Sequence, residues 1–206
     1  MKIGSRKAIR VQLMSDIMIS EILHRSAEVK NKMISVCAGP AEQAAQMIAA
    51  SMRKGGKLLL CGNGGSASDS QHLAAEFVAT LDHTKPRPGL PALSLTTDTS
   101  FLTAYANDFG FEDVFARQVE ALGQPGDVLL GISTSGNSKN VLAAARAAKD
   151  NQISVIAFTG ETGGQMADFA DLLVAIPSRI IMHIQECHIA LGHAITARVE
   201  TLLSEK

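Results

Sequence analysis

The stretch GDVLLGISTSGNSKNVLAAARAAK, residues 126–149, decides the fold of this chain. Its apolar run from Val128 to Ile132 has the length and composition of a buried β-strand, and the alanine-rich part after Ser138 has those of an α-helix. A short segment rich in hydroxyl groups joins the two. A buried strand followed directly by a helix is the repeating unit of a parallel sheet that is covered by helices on both faces.

The same alternation continues along the chain, because four other short apolar runs are separated by segments with helical spacing. A helix from Ser70 should follow the glycine-rich segment GNGGSASDS (62–70), and the helical segment 100–122 should be broken around Asn107–Gly110. One long helix should follow the last strand, up to Leu203. The predicted strands are 57–61, 90–97, 127–133, 153–160 and 171–177.

The region before the first strand is predicted to form two helices. Pro40 is expected to open the second, which closes at Gly55–Gly56, since proline favours a helix start and glycine a helix end. We therefore predict an α/β fold, a three-layer α-β-α sandwich with a five-stranded parallel sheet and extra N-terminal helices. The first helix, over 5–35, is indicated by apolar side chains at helical spacing, namely Ile9, Leu13, Ile17, Ile22, Val29 and Met33.

The composition and charge of the chain exclude several classes of function. The 206 residues are 46% apolar with a net charge of −1, which fits one domain over 1–206. No basic run is present, so no nucleic-acid partner is expected. No apolar stretch of 18 residues and no signal-peptide core occur, so we expect no membrane association and a cytoplasmic location. An odd number of widely spaced cysteines favours packing over disulfides, for Cys37, Cys61 and Cys187.

The segment between strand and helix predicts a phosphate site. The N-terminus of a helix offers unpaired N–H groups and a positive dipole end, and Gly136 lets the backbone approach an anion. A simple helix cap is the alternative, but a cap needs one hydroxyl. No lysine follows as in GxxxxGK[ST], which favours a sugar phosphate over a nucleoside triphosphate. The four hydroxyl groups are those of Ser133, Thr134, Ser135 and Ser138.

A second glycine-rich turn, CGNGGSASDSQH (61–72), follows the first predicted strand. It does not match the dinucleotide pattern GxGxxG, and a tight turn would explain one glycine but not three. Ser66 is a candidate ligand for a phosphate or a sugar hydroxyl. Because this turn and the polar segments TTDTS, STSGNS and TGETGG all follow strands of a parallel sheet, they should meet at one edge and form the site.

Two pairs of side chains have the spacing of metal ligands. His72 and Glu76 stand four residues apart, and Gln185 and His193 eight apart, so each pair shares one face of a helix. Two imidazoles, a carboxylate and an amide oxygen can hold a divalent ion, most often zinc. The alternative stays open at this point, because His/Glu pairs on helix surfaces usually bind nothing.

Four segments together resemble a known family: CGNGGSASDSQHLAAE, ANDFGFEDVF, GDVLLGISTSGNS and HIQECHIALGH. Their order and spacing are similar to those of the SIS (sugar isomerase) fold, a flavodoxin-like architecture. More narrowly they resemble the bacterial phosphoheptose isomerases, from about residue 40 to the carboxyl end. The resemblance implies an aldose–ketose isomerase that converts sedoheptulose 7-phosphate to glycero-manno-heptose 7-phosphate through an enediol, for heptose and lipopolysaccharide biosynthesis.

The resemblance also assigns the site residues. It implies Glu76 and His193 as the acid–base pair, and one zinc ion per subunit. The substrate ligands it implies are Asn63, Gly64, Gly65, Ser66, Asp98, Ser133, Thr134, Ser135, Ser138 and Gln185. The metal ligands it implies are His72, Glu76, Gln185 and His193.

Members of this family are usually homotetramers, so the resemblance implies that residues 1–55 supply helices for oligomer packing. Residues 56–206 would then form the α/β core with the C-terminal helix. Because the metal ligands come from both ends of the chain, the final helix must either fold back over the strand ends of its own sheet or reach a neighbouring subunit's site.

At two places the sequence departs from the family pattern, so the resemblance does not decide which sugar phosphate is the substrate. The chain has Met182-His183 where the family commonly has aspartate or threonine followed by arginine, and Ala79-Thr80 where it has Gly-Arg. An isomerase of another sugar phosphate is therefore one alternative. A second is a binding protein on the same fold, such as the replication initiator-associating factor. That relative lacks the Glu and His that this chain keeps at Glu76 and His193.

Overall fold

The computed structural model describes the backbone of residues 4–204 and the side chains of residues 18–204. Helices and strands alternate along most of the chain. In order, the elements are α1 (Gly4–Arg53), β1 (Leu58–Gly62), α2 (Gly65–Val78), β2 (Ala92–Ser94), α3 (Thr99–Phe109), α4 (Ala116–Leu122), β3 (Val128–Ile132), α5 (Lys139–Asp150), β4 (Ser154–Gly160), a 3₁₀ helix (Gly164–Asp168), β5 (Leu172–Ile176) and α6 (Ile181–Ser204).

The strands form one parallel sheet in the order β2-β1-β3-β4-β5, which confirms the predicted five-stranded sheet. From β1 the chain passes to β2 on one side, and from β3 onward it continues on the other, so the order reverses between β1 and β3. These two strands pair from Leu58↔Val128 to Gly62↔Ile132. In such sheets ligands bind beyond the carboxyl ends of the strands at the reversal.

Helices cover both faces of the sheet and produce the predicted three layers. Consecutive residues of a strand point to opposite faces, so a strand covered on both sides must be apolar throughout. Leu58 and Leu60 pack against α1, α2 and α6 on one face. Leu59 and Leu129 pack against α4 and α5 on the other face.

The N-terminal region forms one helix, so the prediction of a second helix that begins at Pro40 is wrong. α1 runs through Pro40 without interruption. A proline inside a helix removes one backbone hydrogen bond and costs about 3 kcal/mol. Cys37, Ala41 and Ala44 are buried in the core that α1 shares with the sheet and α6. This packing on both sides of the proline holds the chain helical.

Among the described side chains, the apolar stripe predicted for the first helix is only partly buried. Met33 is buried and Val29 packs against the core, whereas Ile22 is exposed. Ile9, Leu13 and Ile17 lie outside the described side chains.

Two helix boundaries differ from the prediction. α2 begins at Gly65 rather than Ser70, because Gly64 takes a φ of 55° and completes the turn by itself. Ser66 therefore lies in the first turn of the helix and not in a loop. The helical segment 100–122 is broken from Gly110, whose φ is 97°, so Asn107 is still helical.

No helix among residues 4–204 is long and apolar enough to cross a membrane. Cys37, Cys61 and Cys187 are buried free thiols, as their spacing predicts. Burial raises the pKa of Cys61 to about 12 and that of Cys37 to about 11. The thiols therefore behave as small apolar groups in the core.

Candidate active site

Two polar turns meet beyond the carboxyl ends of β1 and β3, where the strand order reverses. The turn after β1 passes through Asn63 and Gly64 into α2, and the turn after β3 carries the hydroxyl groups of residues 133–138 into α5. The two are in direct contact, because the amide groups of Asn63 and Asn140 bind each other. The edge of the sheet thus brings together the turns that the sequence places there.

The hydroxyl groups of the second turn are organised around Ser133. Its buried Oγ lies 2.9 Å from Oγ of Ser138 and 3.5 Å from Oγ of Ser135. Thr134, half-buried, lies between them in sequence. Ser138 precedes α5 but makes no capping bond to it with its side chain. The first N–H groups of α5 therefore lack a side-chain cap, which suits an anion better than a closed helix end.

A neighbouring segment, residues 160–166, binds the hydroxyl-rich turn through backbone hydrogen bonds. The Gly160 N–H donates to the Thr134 carbonyl at 3.0 Å, and the Met166 N–H donates to the Gly136 carbonyl at 2.9 Å. Gly136 has a φ of 66°, and a Cβ there would lie 2.0 Å from the Gly163 oxygen. Since C=O and N–H point in opposite directions in a trans peptide, the Ser135 N–H points away from the Gly160 turn.

The turn after β1 is connected to α6. Ser66 is buried, and its Oγ donates to Oε1 of Gln185 at 3.2 Å. A Cβ on Gly65 would lie 3.1 Å from the same amide oxygen. Glycine at this position lets Gln185 approach the start of α2. Gln185, a predicted ligand of both metal and substrate, is thereby placed beside the predicted substrate-binding turn.

The predicted metal ligands of α2 and α6 come together within one chain. Nε2 of His72 lies 2.8 Å from Nε2 of His193 and 3.6 Å from Oε1 of Glu76. The candidate ligand atoms of the three residues all lie within 4.8 Å of one another. The final helix lies on one face of its own sheet rather than over the strand ends, and there α6 packs against α1 and α2. The ligands from the two ends of the chain therefore meet within one chain.

The chemistry of this donor set fits a divalent cation. Two imidazole Nε2 atoms at 2.8 Å must share a proton or a cation, because two facing lone pairs repel. Ligand nitrogens at about 2.0–2.1 Å from zinc in tetrahedral geometry lie about 3.3 Å apart. A shift of a few tenths of an ångström would therefore bring His72 and His193 to binding distance, with a Glu76 oxygen as the third donor.

Asp69 is a site residue that the sequence analysis missed. Its carboxylate accepts a hydrogen bond from Nε2 of Gln185, so Oε1 of the same amide is turned toward Ser66. Burial raises the pKa of Asp69, and the hydrogen bond from Gln185 opposes that effect. Asp69 precedes His72 by three residues, and this i, i+3 spacing on one helix face could have indicated it.

Asp98 and His183 make their contacts with residues outside the cluster of His72, Glu76 and His193. Asp98 follows β2 and caps α3, since its Oδ1 accepts the Phe101 N–H at 2.9 Å. Met182 is exposed and stands three residues before Gln185, on the same face of α6. His183 is buried, with its Nδ1 3.9 Å from Glu186. Of the two departures on α6, Met182 is thus the one that shares a helix face with Gln185.

Comparisons with known proteins agree on one family. A family model described as the SIS domain matches residues 22–160. The phosphoheptose isomerase of Roseiflexus sp. (strain RS-1) is 50% identical over 184 residues, which are 89% of this chain and 92% of that protein. That of Aquifex aeolicus (strain VF5) is 48% identical over 188 residues, 91% and 97% of the two chains. The solved structure of phosphoheptose isomerase from Neisseria gonorrhoeae has a TM-score of 0.85 and 42% identity, covering 90% of this chain and 98% of its own.

Proposed function

The chain belongs to the SIS domain family and, within it, to the phosphoheptose isomerases, and we propose on this premise that it interconverts sedoheptulose 7-phosphate and glycero-manno-heptose 7-phosphate. The activity is that of an aldose–ketose isomerase. We assign the reaction to heptose supply for surface glycans such as lipopolysaccharide. We place it in the cytoplasm, where buried unpaired thiols such as those of Cys37 and Cys61 are the usual state.

One observation carries the proposal for the catalytic residues. Glu76 and His193, which are 117 positions apart in the sequence, lie in one cluster with His72. A carboxylate and an imidazole are the pair that an enediol mechanism needs, because one proton leaves a carbon beside a carbonyl and one returns to the neighbouring carbon. A binding protein has no need of such a pair, so this proximity favours the enzyme.

In the proposed mechanism the substrate phosphate is held at the N-terminus of α5. The hydroxyls of Ser133, Ser135 and Ser138 and the Ser135 N–H donate to its oxygens, and the positive end of the helix opposes its charge. The sugar then extends toward α2 and α6, where Ser66 and Gln185 bind its hydroxyl groups. The backbone of Asn63, Gly64 and Gly65 and the carboxylate of Asp98 complete the proposed contacts.

Proton transfer is assigned to Glu76 and His193. One side chain accepts the proton from the carbon beside the carbonyl while the other donates a proton to the carbonyl oxygen, which produces the enediol. The first side chain then returns a proton to the former carbonyl carbon, and the second takes the proton of the neighbouring hydroxyl, which becomes the new carbonyl. The Glu76 side chain is 21% exposed, so it is partly removed from water and can reach a bound substrate. The Asp69 carboxylate accepts from Nε2 of Gln185 and so keeps Oε1 of that amide facing Ser66, at the proposed sugar site.

We propose one zinc ion per subunit, held by His72, Glu76, Gln185 and His193. The nitrogen and oxygen donors fit zinc, and three of them already converge. When bound, the ion would polarise the carbonyl and hydroxyl oxygens of the sugar.

The substrate of this chain is proposed from its relatives, and Met182 is one of the positions at which the chain departs from them. Met182 places an apolar, exposed side chain on the Gln185 face of α6. The loop after α2 supplies an arginine of its own, because Arg87 donates to the Glu76 carbonyl at 2.8 Å and binds Glu200 at 2.7 Å. Its guanidinium is thus fixed by the protein, and it does not replace the arginine that the family places at Thr80.

The experiment is incubation with sedoheptulose 7-phosphate in deuterium oxide, followed by NMR, with and without a chelator. We expect the aldose product, with solvent deuterium entering beside the carbonyl carbon, and restoration of chelated enzyme by zinc. A folded chain that forms no aldose from this substrate, but isomerises another ketose phosphate, would refute the substrate assignment. A folded chain that isomerises no sugar phosphate would refute the enzymatic one.

We propose that four copies assemble through α1 and α6. Met18, Ile19 and Leu23 on α1 are each more than half exposed. A groove of about 340 Å³ between α1 and α6 is lined by apolar side chains including Met33 and Leu191. A second copy would cover these surfaces. Light scattering should give four times the 21.7 kDa chain mass, and a monomer at micromolar concentration would refute the assembly.

A further inference from the structure

Two asparagine side chains form a reciprocal pair across the site. Nδ2 of Asn63 donates to Oδ1 of Asn140, and Nδ2 of Asn140 donates to Oδ1 of Asn63, both at 2.8 Å. Asn140 is only 4% exposed, and Asn63 is half-buried. Each amide thus gives one donor and one acceptor to the other, a geometry that other side-chain types do not reproduce at this length.

The pair joins the two turns just beyond the last backbone pairing of their strands. β1 and β3 are joined by backbone hydrogen bonds as far as Gly62 and Ile132, and the chains then diverge into different helices. Asn63 is the first residue after β1, and Asn140 is the second residue of α5. The two amides therefore span the crevice at the reversal of strand order, in the wall of a cleft of about 390 Å³.

The two turns that the pair connects would bind opposite ends of the proposed substrate. Asn140 belongs to the helix whose N-terminus would hold the phosphate. Asn63 begins the turn that leads to Ser66, and Ser66 binds Gln185, which contacts Asp69 beside the His72 cluster. A sugar phosphate held at one end reacts only if its carbonyl lies correctly at the other end.

We propose that Asn140 is a positioning residue, which fixes the turn after β1 relative to the phosphate-binding turn through its amide pair with Asn63. The inference rests on the proposed function. It also assigns the Asn63 amide to this pair, where the resemblance would give it to the substrate. Asn140 itself contacts no reacting atom, so its loss should affect turnover more than phosphate binding, since small misplacement of a bound substrate lowers rates by up to about 100-fold.

The test compares Asn63→Ala, Asn140→Ala and the double variant with Asn151→Ala as a control. Asn151 lies at the other end of α5, and its amide binds the Ala147 carbonyl of that helix. We expect each pair variant to lower kcat about 10- to 100-fold, with KM and inhibition by inorganic phosphate within threefold of wild type. The double variant should resemble the single ones, because all three break one pair. Asn151→Ala should keep wild-type kcat.

Three results would overturn the inference. Wild-type kcat in Asn140→Ala would do so, as would multiplied losses in the double variant, which would show that Asn63 acts on the substrate by itself. A loss of kcat that follows the unfolded fraction measured by circular dichroism would show a purely structural role. Should Asn140→Ala fail to fold, Asn63→Ala breaks the same pair from its more exposed side and carries the test.

Hydrogen exchange gives a readout independent of activity. Inorganic phosphate should protect the backbone amides of 133–140 in every variant, but those of 63–66 only where the amide pair is intact. Equal protection of 63–66 in Asn140→Ala would overturn the inference and leave the proposed function untouched. A wild-type chain with neither turnover nor phosphate protection would overturn both.

Discussion

Replacement of Glu76 by glutamine tests the catalytic assignment most directly. The amide keeps the size of the side chain and removes its charge and basicity. The described contact that is lost is the one to His72 Nε2 at 3.6 Å, which involves a half-exposed histidine. Partly exposed ion pairs contribute about 1 kcal/mol or less. We therefore expect the melting temperature of Glu76→Gln to fall by no more than about 4 °C.

Turnover should fall far more than stability. A positioned general acid or base contributes about 10²- to 10⁴-fold, which corresponds to about 3–5 kcal/mol of activation free energy. His193→Asn should lose a similar factor, and the double variant should lose much less than the product of the two, because both variants disable one proton-transfer pair. Glu120→Gln, a change at an exposed residue of α4, serves as the matched control.

The assay is NMR of the isomerisation under saturating substrate, with zinc content per subunit measured for each variant. The metal measurement is essential because Glu76 is also a proposed ligand. If excess zinc restored turnover in Glu76→Gln, the residue would hold the metal and not transfer the proton. Turnover within threefold of wild type at unchanged zinc content would refute both roles.

Three further predictions follow from other parts of the molecule. Ser135→Ala should raise KM for the phosphorylated sugar about 10- to 100-fold, since a hydrogen bond to a charged group contributes about 1.5–3 kcal/mol, and equal loss of affinity for the unphosphorylated sugar would contradict this. Burial lowers the pKa of His188 to about 4, so the unfolded state takes up its proton first as pH falls below about 6.5. Urea unfolding should therefore show up to about 3 kcal/mol of stability lost between pH 6.5 and 4, and His188→Gln should reduce that loss. Arg87→Ala leaves the Glu76 and Phe77 carbonyls without their guanidinium donor, so calorimetry should show a loss of about 2–3 kcal/mol that Arg87→Lys does not recover.

The strands were predictable from the sequence because each is a short apolar run bounded by turn residues. A strand covered on both faces leaves this signal in its own residues. The start of the second helix was not predictable in the same way. Pro40 carries a strong local preference for a helix start, and burial of Cys37 and Ala41 against distant elements overrides it.

The residues of the candidate site likewise divide into those with a local sequence signal and those set by distant contacts. Its hydroxyl groups and metal-type ligands have local patterns, so spacing and resemblance together could indicate them. The sequence analysis missed Asn140 and Asp69 because their roles depend on partners 77 and 116 positions away. An asparagine near a helix start and an aspartate on a helix surface are ordinary in sequence, and only the meeting of two turns gives them a specific partner.

The approach of α2 and α6 explains why the His72 cluster can exist at all. Gly192 faces Leu73, and a Cβ at Gly192 would lie 2.6 Å from the Leu73 methyl groups. Those methyl groups therefore occupy space that any other residue at this position would need. His72 and His193 are the immediate neighbours of this contact in sequence, one on each helix. Because the helices touch at Gly192, their adjacent imidazoles can face each other at 2.8 Å. The fold sets the distance between the two histidines through an apolar contact, and the chemistry of the site depends on that distance.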